Sequence, residues 1–170
     1  MRLSTAAIAC LLLLPVAGTF AQDARDLPAQ DVPPDPAAEV PAPWQPRTGS
    51  DWIDAHLHDM DVYVARHRDA FVDEIVRYHE APRALVEEAL ADPVLHPGDV
   101  YYACALAGAI GRSCRTVLDA RRQDPSEGWD AVAARFEVTA GIDRRIRGDI
   151  AESYVRWGRP LAGATRQDAR

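Results

Sequence analysis

The sequence predicts an all-α fold: a compact, partly orthogonal bundle of about six helices that follows a disordered, proline-rich linker. Three observations carry this. Between residues 50 and 157, apolar side chains recur at intervals of three, four or seven, the spacing that lines one face of a helix. The alternating β-branched runs and the Asn-Gly or Asp-Gly turns that announce strands and hairpins are missing. The connections are short, so the helices must pack on their neighbours as one domain of ordinary size.

Each element has its own signals. Ser50 is placed to cap a first helix that opens with Asp51 and Asp54, acids suited to the positive end of a helix. Ile53, Leu57, Met60, Val64, Phe71 and Ile75 form its inner stripe, which predicts a long helix reaching about His79. His67 falls on that stripe and reads as a core histidine with a hydrogen-bond partner. Pro82 takes the first position of a second helix with Leu85, Val86, Ala89 and Leu90 inward, and Asp92-Pro93 ends it. Pro97-Gly98-Asp99 opens a third. Its residues 100–110 are apolar nearly all round, as a central buried helix requires, and Gly111 stops it in a left-handed cap. Ser113 caps a fourth helix with Val117 and Leu118 inward, ending before Pro125. Ser126 starts a fifth, where Trp129, Val132, Ala133 and Phe136 share a face, and residues 139–141 form a turn. The sixth carries Ile142, Ile146, Ile150, Tyr154 and Trp157 inward. Asp143 with Arg147, Arg145 with Asp149 and Glu152 with Arg156 sit four apart on its outer face. Gly158 and Pro160 end it.

The first 21 residues read as a secretory signal. Arg2 supplies the charge, residues 6–16 the short apolar run, and Gly18-Thr19-Phe20-Ala21 the small residues before a cut at Gln22. Pro15 breaks the run well short of the roughly 20 apolar residues that span a bilayer, so the mature chain is not expected to insert in a membrane. Residues 22–49 repeat Pro, Asp, Ala and Glu and read as a disordered linker and extended tether, in which Trp44 alone has the means to dock on the domain. The domain then covers residues 50–161, and residues 162–170 read as a flexible tail. Together these features predict a periplasmic or secreted protein.

The chain carries a formal charge of −7, and its basic residues are all arginine. That balance argues against nonspecific attraction to nucleic acid or to anionic lipid. Once Cys10 leaves with the signal, Cys104 and Cys114 remain, and an oxidising compartment permits a disulfide between them. Cys104 lies roughly 10 Å down the helix axis from Gly111. The cysteines therefore meet only if the link Arg112-Ser113 folds straight back, since a bridge needs Cα atoms within about 7 Å.

The stretch Pro97-Gly98-Asp99-Val100-Tyr101-Tyr102-Ala103-Cys104, then Gly111-Arg112-Ser113-Cys114-Arg115, Gly128-Trp129 and Arg156-Trp157-Gly158-Arg159-Pro160, resembles a group of small exported, all-helical hypothetical proteins of high-GC proteobacteria. The similarity covers residues 63–161. It implies a helical domain and assigns no catalytic residue. Phe136-Glu137-Val138 stands where related sequences often carry a glycine, so that turn is expected to differ.

No motif assigns a catalytic residue, a metal or a cofactor. His56-Leu57-His58 has the form of the paired histidines of metal-dependent amidohydrolases, but the barrel those need runs to about 250 residues. His58 shares a helix face with Asp54 and Asp61, a weak surface-metal arrangement that competes with a plain solvated face. Residues 128–142 have the outline of a helix-turn-helix whose second helix opens with Arg144, Arg145 and Arg147; the export signal and acidic charge weigh against DNA, so no nucleic-acid partner is expected. Tyr101, Tyr102, Trp129, Tyr154 and Trp157 form an aromatic set that is expected to lie mostly in the core. One or two of Tyr101, Tyr102, Trp129 and Trp157 at a groove edge, with Arg112 and Arg115 nearby, are the candidate anchors for a partner, because aromatic residues and arginine dominate binding hot spots. The reading is therefore an exported, non-enzymatic module that binds a protein or envelope component. A small motif-less hydrolase is the first alternative and a DNA-binding remnant the second. The hydrolase reading predicts a concave pocket holding a histidine or acid of shifted pKa.

Overall fold

A computed structural model of the chain describes residues 43–138 and 140–161. Over these residues the all-α prediction holds. Six helices follow one another, α1 (Asp51–Tyr78), α2 (Arg83–Ala91), α3 (Pro97–Ile110), α4 (Cys114–Gln123), α5 (Trp129–Ala134) and α6 (Ala140–Arg156), and no strand occurs among the described residues. The predicted signal peptide, the linker up to residue 42 and the tail from residue 162 lie outside them. No helix among the described residues is long and apolar enough to cross a membrane.

The all-round apolar character of α3 makes it the centre. Every residue from Gly98 to Ala107 is buried, and α1, α2, α4 and α6 all pack against it. The caps are those the sequence marks. Ser50 Oγ accepts from the Ile53 amide at 3.2 Å and Ser113 Oγ from the Thr116 amide at 3.2 Å, while Gly111 closes α3 with φ 68°. The extended Arg112-Ser113 link then folds straight back, leaving the Cα atoms of Cys104 and Cys114 4.4 Å apart and their sulfurs at disulfide distance.

Three local expectations are corrected. His67 is not a core histidine. It adopts φ −134°, ψ 40° inside α1, and residues 65–70 are all exposed. That turn offers no apolar side chain larger than alanine to bury, so no packing opposes a break there; the inner stripe resumes at Phe71, with Val72 and Ile75 also buried. The second correction concerns α5, which begins at Trp129 rather than Ser126. The carbonyls of Asp124, Pro125 and Glu127 all accept from Arg121 Nη1, at 3.4, 3.1 and 2.8 Å, and the Asp124 carbonyl also accepts from the Glu127 amide at 3.3 Å, a turn held by the arginine in place of a first helical turn. Third, α6 starts at Ala140, which places Gly141 inside its first turn.

The linker also ends earlier than residue 49. Residues 43–49 lie on the domain as an arm. The Pro46 and Arg47 carbonyls accept from the Trp129 and Asp130 amides, each at 2.8 Å, satisfying two of the donors that the start of a helix leaves unpaired. Trp44 docks as the sequence allowed, stacking on His96 with ring centroids 4.3 Å apart. Gly98 makes this seat possible. A Cβ there would meet Trp44 Cη2 at 2.7 Å and the Leu57 carbonyl oxygen at 2.8 Å. Gly98→Ala is therefore expected to cost about 1–3 kcal/mol by overpacking and to free the arm. Urea titration and protease cutting between residues 43 and 49 measure the two effects; an arm as protected as in the wild type would refute the second.

Candidate functional site

The structure divides the aromatic and arginine residues proposed for partner binding into three places. Tyr101, Tyr102 and Trp129 are interior, 0%, 4% and 0% exposed, so these three belong to the core part of the aromatic set and are not the partner anchors they were candidates for. Two of the three polar heads are used internally, as buried aromatics of this kind usually require. The Tyr101 hydroxyl pairs with Ser153 Oγ at 2.8 Å, and Ser153 donates to Glu74 at 2.7 Å, whose carboxylate also holds Arg156. Trp129 Nε1 donates to Asp99 at 2.6 Å. Tyr102 lays its ring on Trp129 with centroids 4.8 Å apart. Burial pushes the phenols of Tyr101 and Tyr102 up, so both stay neutral.

Trp157 reaches the surface where the kink of α1 meets the end of α6. Its ring stacks on Tyr63 with centroids 4.6 Å apart, and Tyr63 in turn stacks on His67 at 4.7 Å, the i and i+4 neighbours of one helix face. Gly158, with φ 64°, turns the chain so that the Arg159 amide bonds the Tyr154 carbonyl at 2.9 Å. The Arg159 guanidinium then lies 5.0 Å over the Tyr63 ring and donates to Asp59 at 2.8 Å. Tyr63, His67, Trp157 and Arg159, with Arg66 and Val62, line a shallow cleft of about 350 Å³. Two arginines and a histidine edge it and no carboxylate lines it, in a chain of formal charge −7. Trp157 Nε1 and Arg159 Nη1 are buried donors with no acceptor among the described residues, and Arg66 is exposed without an ion pair among them. Burial pushes the Tyr63 phenol up, against the opposing pull of Arg159. The sequence did not single out Tyr63, Arg66 or Arg159 and placed His67 in the core, although Arg159 stood in the Arg156-Trp157-Gly158-Arg159-Pro160 motif.

Arg112 and Arg115 go to a third place, a cleft of about 460 Å³ between α2 and α4 that His79, Leu85 and Cys114 also line. Burial drives His79 down to about 4; its ring edge meets Tyr101 at 5.0 Å and its Nε2 has no partner among the described residues. Arg115 lies 3.7 Å from Glu88. This is the concave pocket with a shifted histidine that the hydrolase reading asked for. Its hydroxyl and its sulfur are committed elsewhere, however: Ser113 Oγ caps α4 and shares a hydrogen bond with Thr116 Oγ1 at 2.8 Å, and Cys114 is joined to Cys104.

The two remaining arrangements come apart. Asp54 accepts from Thr48 Oγ1 at 2.6 Å. Asp61 accepts from the Gly98 amide at 2.8 Å and pairs with His96 at 3.0 Å, its carboxyl pushed up by burial against both contacts. His58 sets its ring edge against Trp44. The three residues thus serve separate partners, and no group of metal-ligating side chains forms among the described residues. Of the arginines imagined in a DNA groove, Arg144 and Arg145 are exposed. Arg147 instead bonds Asp143 at 2.8 Å and Ser50 Oγ at 2.5 Å, 5.2 Å over the Trp52 ring. No family model matches the chain, and no curated protein or solved structure is significantly similar to it.

Proposed function

We propose that this is an exported binding module whose aromatic–arginine cleft at the junction of α1 and α6 docks an acidic segment of another envelope or secreted protein. The observation that carries the reading is the exposed Arg66, without an ion pair among the described residues, beside the Tyr63–Trp157 stack in a cleft that no carboxylate lines. A partner carboxylate meets Arg66 and His67 at the rim, and the Tyr63–Trp157 stack provides the flat apolar anchor on which hot spots are built. The signal-like start and the proline-rich tether support export, and the pairing of two cysteines is compatible with it. The commitments of Ser113 and Cys114 favour binding over hydrolysis.

A photo-cross-linking residue in place of Val62, which is 66% exposed, tests this in the full chain in its native host. Envelope fractions should yield one dominant adduct. Arg66→Glu should reduce it about tenfold or more, the worth of roughly 1.4 kcal/mol. Adducts indifferent to Arg66→Glu and to Trp157→Ala would overturn the docking site. Intact Met1 on cytosolic protein, read by mass spectrometry, would overturn export.

A further inference from the structure

We propose that the Cys104–Cys114 disulfide is a thiol–disulfide exchange site that oxidises a protein or peptide dithiol presented in the cleft between α2 and α4. The two sulfurs are unequal. Cys104 lies in the middle of α3 and is 0% exposed, whereas Cys114 is 7% exposed and forms part of the cleft wall. Cys114 is also the first residue of the ten-residue helix α4, directly after its Ser113 cap. A thiolate there faces the positive end of the helix, which favours the anion. Arg112 and Arg115 flank it in the chain and line the same cleft, as do Glu80 and Glu88; Glu88 faces Arg115 at 3.7 Å, whereas Arg112 has no ion pair among the described residues. A thiol at Cys104, in contrast, sits among apolar side chains that favour its protonated form. Reduction therefore yields one stabilised thiolate and one buried thiol, and stabilising the reduced form makes a disulfide a stronger oxidant. The cleft, about 460 Å³, has room for a substrate cysteine and its neighbours.

The exchange balances without any further oxidant for one turnover. A substrate thiolate attacks Cys114 Sγ; the Cys104–Cys114 bond breaks, and its electron pair leaves on Cys104 Sγ, which takes up a proton. The second substrate thiolate attacks the substrate sulfur of the mixed disulfide, and Cys114 departs as a thiolate. The substrate dithiol is oxidised by two electrons to a disulfide, and the protein disulfide is reduced to a dithiol. Different residues from those of the α1–α6 cleft are used, so this inference and the docking reading stand or fall separately.

The test equilibrates the oxidised chain, from residue 22 to its end, with graded ratios of reduced to oxidised glutathione and traps it by alkylation. The bond should open while the helical circular-dichroism signal persists, with a glutathione adduct on Cys114 and none on Cys104. In Cys104→Ala, the Cys114 thiol should react with iodoacetamide at pH 6 about tenfold or more faster than in the urea-unfolded chain. Arg112→Ala with Arg115→Ala should remove most of that advantage, a change that a purely structural bridge would not produce. A disulfide that opens only as helicity is lost overturns the proposal. So does a Cys114 thiol no faster in the folded chain than in the unfolded one. If Cys104→Ala does not fold, the reduced wild-type chain, alkylated while helical, provides the same comparison.

Discussion

Arg121→Ala is expected to lower the unfolding free energy by about 3–5 kcal/mol, the range for removing one partner of a buried ion pair. The side chains of Arg121 and Asp99 are 4% and 0% exposed. Arg121 Nε donates to Asp99 Oδ1 at 3.2 Å, and Trp129 Nε1 donates to the same oxygen at 2.6 Å. The other carboxylate oxygen accepts from the His96 amide at 3.0 Å, fixing the start of α3. Meanwhile Arg121 Nη1 gathers the carbonyls of Asp124, Pro125 and Glu127. One guanidinium thus neutralises a buried charge in the central helix and holds the loop that leads into α5. Alanine leaves the carboxylate without its counter-charge and takes the side-chain donor from the Pro125 and Glu127 carbonyls, while the Asp124 carbonyl keeps only the Glu127 amide. Lysine does little better, because a single ammonium cannot occupy the Nε and Nη1 positions together. Urea unfolding of Arg121→Met, Asp99→Asn and the double variant checks the argument. The double variant should lose less than the sum of the singles by about 1–3 kcal/mol. Additive losses, or a loss under about 1 kcal/mol for Arg121→Ala, would show that the pair is not what holds α4 and α5 to α3.

The Arg121–Asp99 pair also shows where sequence reasoning reaches its limit. Local signals located the caps at Ser50, Ser113 and Gly111 and the all-round apolar run of α3, because each is decided within a few residues. The cysteine pairing was legible for the same reason, since one short link fixes the reversal. Residue type marked Tyr101, Tyr102, Trp129 and Trp157 as a set but carried no information on which face the core. That depended on Ser153, Asp99 and Glu74, distant in the chain and brought together by packing. The start of α5 depended on carbonyls of residues 46 and 47, and the surface histidine on a break at residue 67 that hydrophobic period does not record. The candidate cleft joins Tyr63 to Trp157 and Arg159 across nearly the whole domain. Only the chemical types on each side were visible beforehand.

The second large effect is acid-linked and belongs to His79. An imidazole in the unfolded chain titrates near its ordinary 6.5, whereas burial brings that of folded His79 down to about 4, with Arg156 and Arg145 assisting and Glu74 opposing. Between those values the unfolded chain binds a proton that the native chain refuses, so stability rises with pH across the window. The native state has this contribution in full above about pH 6.5 and loses it progressively toward pH 4; the whole span is worth on the order of 3 kcal/mol, and the loss by pH 5 about 2 kcal/mol. Asp61 and Asp149 act in the opposite sense, since burial raises both carboxyls from 3.8. Their folded forms hold protons more tightly, which adds stability as the pH falls into the range just above 3.8 and blunts the acid end of the profile. His79→Leu removes the titrating ring and the unpartnered Nε2 together. It should unfold at a higher urea concentration than the wild type at pH 5, and the drop from pH 7 to pH 5 should shrink by about 2 kcal/mol. Parallel profiles for the two proteins would mean that His79 gains a proton as readily folded as unfolded, and that the ring is open to water in solution.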